Sequence, residues 1–262
     1  MAEYLALGHM SVATTPGQYY IPHHAICKND GADIKFRVVF DASAKGPTGM
    51  SLNRALLPGP KLQRDIVDIL IRFCLFHHAF TADIYKMYRQ ILILPEFRAY
   101  QHILGRDSTL DLVIDYELNT VTYGVNYAPF LALRVLRAIA DSDGVSFPCD
   151  RDALRYQTYV NKRICYGADT ITDTVVVQSE LKSILARSGL ELCKWSSNTS
   201  ALLQNVPADH CVVKSRSFAD DDSVDTKVLG IHWYTNEDYF CCELCLEVSP
   251  TFTKRGILSL TA

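Results

Sequence analysis

Long apolar runs are missing from this 262-residue chain. The most apolar stretch, Ile66 to Phe76, is interrupted by Asp68 and Arg72, well short of the roughly 20 apolar residues that a membrane span needs, so no membrane is expected as a partner. A basic excess is missing too. With 26 Lys and Arg against 29 Asp and Glu, the formal net charge is -3, and any affinity for phosphate has to come from local clustering of cations. The start, Met1-Ala2-Glu3-Tyr4, has neither the basic head nor the apolar core of a secretory leader. The nine cysteines therefore read as reduced thiols of an intracellular protein, cytoplasmic or nuclear, without a disulfide framework. Cys241-Cys242-Glu243-Leu244-Cys245 has one Cys-x-x-Cys spacing but no second pair to complete a zinc site, so it reads as thiols in a strand. Internal repeats and low-complexity tracts are absent, and Asp220-Asp221-Asp222 reads as a solvated loop. In His23-His24 and His77-His78 the side chains of neighbours diverge, which makes structural residues of them rather than ligand pairs.

What is present suits a buried core. An apolar share of 48% excludes disorder and allows one large domain or two intimately packed lobes. Pro16-Gly17, Gly46-Pro47 and Pro58-Gly59-Pro60 punctuate the first third. After Pro60, Leu62, Ile66, Ile69, Leu70 and Phe73 fall at helical spacing. Ala128 to Ala140 repeats that pattern, as does Asp173 to Arg187, with Asp173 as cap and Gly189 as stop. Strands are expected over Phe36 to Phe40, Phe80 to Ile84, Ile91 to Leu94, Gln157 to Tyr159 and Val228 to Tyr234. The order is an α+β pattern without regular βαβ alternation.

Several blocks carry a more specific signal together than apart. They are Lys35-Phe36-Arg37-Val38-Val39-Phe40-Asp41-Ala42-Ser43, then Phe80-Thr81-Ala82-Asp83-Ile84-Tyr85 running to Ile91, and Thr120 to Gly124 continuing to Ala128-Pro129-Phe130. Tyr159-Val160-Asn161-Lys162, Gly167-Ala168-Asp169-Thr170 and Leu229-Gly230-Ile231-His232-Trp233 come after them. In order and spacing the chain resembles the reverse transcriptase of Pao/BEL long-terminal-repeat retrotransposons, from Tyr4 through Trp233. That resemblance implies a right-hand polymerase core of fingers and palm, with an antiparallel palm sheet packed on helices and the thumb absent or incomplete. Residues 1–78 and 92–126 would be fingers, 79–91 and 127–225 palm, and 226–262 a primer-grip-like hairpin with the start of thumb or connection. On this view the chain is a piece of a polyprotein whose protease lies upstream and whose ribonuclease H lies downstream.

The resemblance implies a metal centre at Asp83, where Mg2+ or Mn2+ would be held with two aspartates of a Tyr-x-Asp-Asp turn. Here that turn is Tyr159-Val160-Asn161-Lys162. Asp83, Asn161 and Lys162 together carry no net formal charge, whereas two hard dications demand anionic oxygen ligands. Lys162 would repel an ion and could pair with Asp83 in its place. Losing metal stabilisation at a phosphoryl-transfer centre costs at least several kcal/mol, or roughly a thousandfold or more in rate. Around this centre the resemblance assigns Lys35 and Arg37, two apart on one strand face, to the triphosphate, and Tyr88 to the sugar pocket. Gly124 would allow close approach of backbone to nucleotide, Lys194 would lie near the leaving phosphate, and Gly230, His232 and Trp233 would form the primer grip. Read without it, the same residues are an exposed basic strand face, a core tyrosine, a turn glycine, a surface lysine and a core tryptophan. Thr158, Gln157 and Gly105 depart from the family's usual bulky, acidic and tryptophan residues.

The expected function is a reverse-transcriptase-like domain, an RNA-directed DNA polymerase by descent that is inactive, with metal binding weak or lost. Its implied partners are an RNA/DNA primer-template, deoxynucleoside triphosphates and other domains of the polyprotein. Two alternatives stay open: an active polymerase with an atypical metal site, and a non-catalytic nucleic-acid-binding or assembly module.

Overall fold

The computed structural model describes residues 1–30, 33–106, 108–142, 148–159, 163–212, 225–229 and 231–241. In chain order lie α1 (Ala2–Ala6), β1 (Met10–Val12), β2 (His23–Asp30), β3 (Asp33–Phe40), α2 (Leu52–Ala55), α3 (Ile66–Phe73), β4 (His78–Ile84), α4 (Pro95–Arg98), β5 (His102–Gly105) and β6 (Ile114–Leu118). After them come α5 (Ala128–Ser142), α6 (Pro148–Tyr156), β7 (Thr158–Tyr159), β8 (Arg163–Ala168), α7 (Ile171–Arg187), β9 (Leu192–Ser197), β10 (Asp225–Val228), β11 (Ile231–Tyr234) and β12 (Tyr239–Cys241). Helix and strand are mixed, and the named strands pair antiparallel throughout.

The sheet that matters for function runs β7-β8-β4-β9. β4 is central, and Ala79 through Ile84 are all buried, which is why its sequence reads as nearly continuous apolar residues rather than as alternation. Alternation still sorts the side chains. Phe80, Ala82 and Ile84 join the main core with Leu136 of α5, Leu154 of α6 and Leu181 of α7. Ala79 belongs instead to a smaller cluster with Ile69 and Phe73 of α3 and with Trp233. Period two places Thr81 and Asp83 on this second face. Each fully buried large apolar side chain contributes about 1.5–3 kcal/mol, so the main core fixes the plane from which Asp83 projects.

A second sheet, β1-β6-β5, packs with Tyr4, Ile21, Phe40, Leu52 and Val125. β2 and β3 form a two-stranded ribbon rooted by buried Phe40, with Ile26 and Phe36 exposed along it. Tyr127 packs against both the main core and this second cluster, and its hydroxyl donates to Gln101 Oε1 at 3.1 Å. Beside it, the Asn126 amide donates to the Asn53 and Leu56 carbonyls at 2.7 and 3.0 Å, and its backbone N–H donates to Asn53 Oδ1 at 2.8 Å.

Some boundaries differ from the sequence expectation. The run Val228 to Tyr234 is not one strand: β10 and β11 pair with each other around Leu229, whose φ is +53°. Ile91 to Leu94 forms no named strand; it makes only the isolated bridge Leu92↔Thr120, because a 3-10 turn ends at Gln90 and Pro95 starts α4. α3 begins at Ile66, leaving Leu62 in the extended approach. α6 has so few apolar positions, chiefly Ala153 and Leu154, that its periodicity is invisible in the sequence. At α7 the cap is Thr170, not Asp173. Thr170 Oγ1 accepts from the Asp173 N–H at 3.1 Å and donates to Asp173 Oδ2 at 2.7 Å, so the hydroxyl satisfies an orphan donor of the first turn. Gly189 lies just past the helix end at φ +72°, as a C-terminal stop should.

Candidate functional site

Asp83 lies near the end of β4, and two neighbouring strands bring cations to it. β8 sets Arg163 directly opposite Asp83 in register, and Arg163 Nε donates to Asp83 Oδ1 at 2.8 Å. β9 supplies the second cation through an irregularity. Thr81 pairs with Ser196 and Asp83 with Cys193, so Ala82 stands opposite two residues, Lys194 and Trp195, as in a β-bulge. Lys194 has φ +52°, a left-handed conformation costing an L-residue about 1–2 kcal/mol. Trp195, 1% exposed, is anchored in the main core, and its indole N–H reaches the Leu192 carbonyl at 3.3 Å. The bulge thereby sends Trp195 to the core while Lys194 Nζ reaches Asp83 Oδ2 at 3.2 Å.

Both carboxylate oxygens are thus engaged, one by each cation. The two contacts are not equal. The Asp83 and Arg163 side chains are 13% and 12% exposed, whereas Lys194 is 65% exposed, so solvent screens the lysine and the arginine dominates. Among the described residues no group of three or more His, Cys, Asp or Glu is placed to hold a metal ion.

A second set gathers near the 3-10 turn Met87–Gln90. Tyr88 is buried, and its ring meets that of Tyr123 edge-on with centroids 4.9 Å apart. Burial, with the Tyr123 hydroxyl as a lesser cause, pushes the Tyr88 phenol up to about 12. Arg37 of β3 lies over the other partner, its Cζ 6.0 Å from the Tyr123 centroid. Gly124 comes next with φ +86°, and a Cβ there would fall 2.2 Å from the Phe40 carbonyl oxygen. Only glycine fits a backbone this close to β3. The structure brings Arg37, Tyr88, Tyr123 and Gly124 into one neighbourhood. Lys86, at φ +44°, turns the chain from β4 toward it and pairs with Glu3 at 2.6 Å.

Trp233 is wholly buried, edge-on to Phe73 at 4.9 Å and stacked on Phe240 at 6.2 Å. Its indole N–H donates to Asp238 Oδ1 at 3.0 Å, which satisfies the polar end of a core residue. His232 lies beside it in β11, opposite Lys227 and Cys241. Asn161, Lys162, Gly230, Cys242, Cys245 and Asp220 to Asp222 lie outside the described residues, as does the side chain of Lys35, whose backbone pairs with Lys28 in the ribbon. The residue that sequence reasoning missed is Arg163. It comes directly after Lys162 in the sequence, but only the β4–β8 register shows that it faces Asp83.

No family model matches this chain, and no curated protein matches it. Among solved structures it is similar to the crystal structure of prototype foamy virus protease-reverse transcriptase, a CSH mutant labelled with selenomethionine. The identity is 16% and the TM-score 0.56, over 73% of this chain and 22% of that one. The fold is reverse-transcriptase-like. The chain spans about a fifth of the neighbour's length. No helix among the described residues is long and apolar enough to cross a membrane.

Proposed function

We propose that this chain is the reverse-transcriptase domain of a Pao/BEL-type retrotransposon polyprotein in which the polymerase centre has lost its metal chemistry. The observation that carries the reading is the engagement of both Asp83 oxygens by Arg163 and Lys194. A dication would have to displace two cations to reach that carboxylate, and Asn161 and Lys162 offer no replacement charge. The residues therefore do not fit Mg2+ or Mn2+, and no catalytic step through a metal is assigned. In this reading residues 79–91 and 127–225 are palm, 1–78 and 92–126 fingers, and 226–262 the primer-grip hairpin with the start of thumb or connection. Arg37, Tyr88 and Gly124, with Lys35, are the inherited nucleotide pocket, and His232 and Trp233, with Gly230, the inherited grip. Primer-template and deoxynucleoside triphosphates are the inherited partners.

Primer extension on an RNA template with Mg2+ or Mn2+ tests this. The wild-type chain should give no product. A repaired chain carrying Asn161→Asp, Lys162→Asp and Arg163→Leu should extend the primer if the pocket is otherwise intact. Wild-type product that Asp83→Ala abolishes would overturn the proposal in favour of an active enzyme. If neither chain extends, salt-dependent binding of an RNA–DNA duplex, lost on changing Lys35 and Arg37 together, identifies a domain that binds without catalysis.

A further inference from the structure

A concave surface on α5 and α6 shares no residue with Asp83 and its cations. Arg134, Arg137 and Asp141 recur along α5 at three- and four-residue spacing and form one stripe. α6 adds Arg155 and Tyr156, and Phe130 and the extended approach to α3 close a cavity of about 430 Å3. Its charge is lopsided. Three guanidiniums and one carboxylate line it, and a fourth, Arg64, lies 4.4 Å from the centroid of the Tyr156 ring, all within a chain of net charge -3.

The guanidiniums are unevenly committed. Arg137 Nη2 donates to the Leu62 carbonyl at 2.8 Å, which holds it against the approach segment. Arg155 pairs with Asp141, yet its buried Nε has no hydrogen-bond partner among the described residues. Arg134 is exposed and makes no hydrogen bond or ion pair among the described residues. Clustered cations repel one another unless an anion shares the space, and the planar fork of arginine matches phosphate oxygens two at a time. Phe130 and Tyr156 add aromatic surface, and the volume lies in the range of small-ligand sites.

We propose that this cavity binds a phosphorylated nucleotide, with the phosphates on Arg134 and Arg155 and the base against the Phe130–Tyr156 side. The nucleotide can be a free nucleoside triphosphate or the 5'-phosphorylated end of a strand. Titrating the full chain with ATP and with oligo-dT, with and without a 5'-phosphate, separates these sources. ATP binding alone marks a free nucleotide; preference for the phosphorylated oligomer marks a strand end. In either case Arg134→Gln should weaken binding roughly tenfold without moving the melting temperature, since its side chain supports nothing else. Asp141→Asn should tighten binding several-fold by removing the competing carboxylate, an effect that a merely structural role would not produce. Absence of ATP or oligomer binding at millimolar concentration, or binding indifferent to both substitutions, overturns the proposal.

Discussion

Replacing Asp83 by Asn separates a carboxylate that belongs to a metal centre from one that belongs to an ion pair. Where several carboxylates converge to await a metal, neutralising one relieves repulsion and stabilises the fold. Here the only charges within reach of Asp83 among the described side chains are positive. The Arg163 contact is a charge-assisted hydrogen bond between side chains that are 12% and 13% exposed, and its loss should cost about 2 kcal/mol. Lys194, 65% exposed, adds less than about 1 kcal/mol because solvent screens it. Asp83→Asn should therefore destabilise by about 2–3 kcal/mol, a fall in Tm of roughly 5–10 °C for a domain of this size. Lys194→Gly serves as the comparison. It gives up the screened contact but releases a side chain held at φ +52°, worth about 1 kcal/mol, so its Tm should stay within roughly 3 °C of wild type. Differential scanning calorimetry without divalent ions reads both. An Asp83→Asn protein melting at or above the wild-type temperature would refute the ion-pair account.

Acid should weaken the fold beginning near neutrality. Burial, and then the nearby Arg89 and Lys86, lower the His9 imidazole below its ordinary 6.5, and burial does the same at His23. The unfolded chain binds these protons first, so stability is full above about 6.5 and falls as pH drops below it; urea midpoints at successive pH values should show that slope, and His9→Phe should flatten it. Gly124→Ala should cost about 3 kcal/mol or more, because the added Cβ meets the Phe40 carbonyl at 2.2 Å and a backbone oxygen cannot swing aside; a soluble variant melting like wild type would contradict the close approach. Thr170→Ala should cost about 1 kcal/mol through loss of the α7 cap, and Thr170→Ser should restore most of it in thermal melts.

Sequence periodicity located α5 and α7 because their apolar stripes are broad, and β4 because burial on both faces makes it a nearly continuous apolar run broken by Thr81 and Asp83. It failed at α6, whose two core residues among those described make no stripe, and at β10–β11, where the chain reverses at Leu229, a residue that carries no turn signal of its own. At the candidate site Asp83 and Lys194 were both named from the sequence, but not their contact with each other, and Arg163 was not named at all. Its partners depend on which residue of β8 faces it and on one extra residue in β9, both properties of strand pairing that no local pattern records. Lys194 illustrates the point: exposure makes it a surface lysine, as its sequence context alone suggests, while the bulge makes it a contact of Asp83.

The joint at Asn126 and Tyr127 has a consequence for how the molecule comes apart. Tyr127 belongs to two cores at once, and Asn126 closes three hydrogen bonds onto the segment from Asn53 to Leu56. Opening either half exposes the ring and strands the amide, so neither core can loosen at low energy while the other stays intact. Amide protons in β5 and β6 should then exchange with solvent through the same opening as those in β4 and β8, giving one cooperative unit in hydrogen exchange where the separate sheets suggest two.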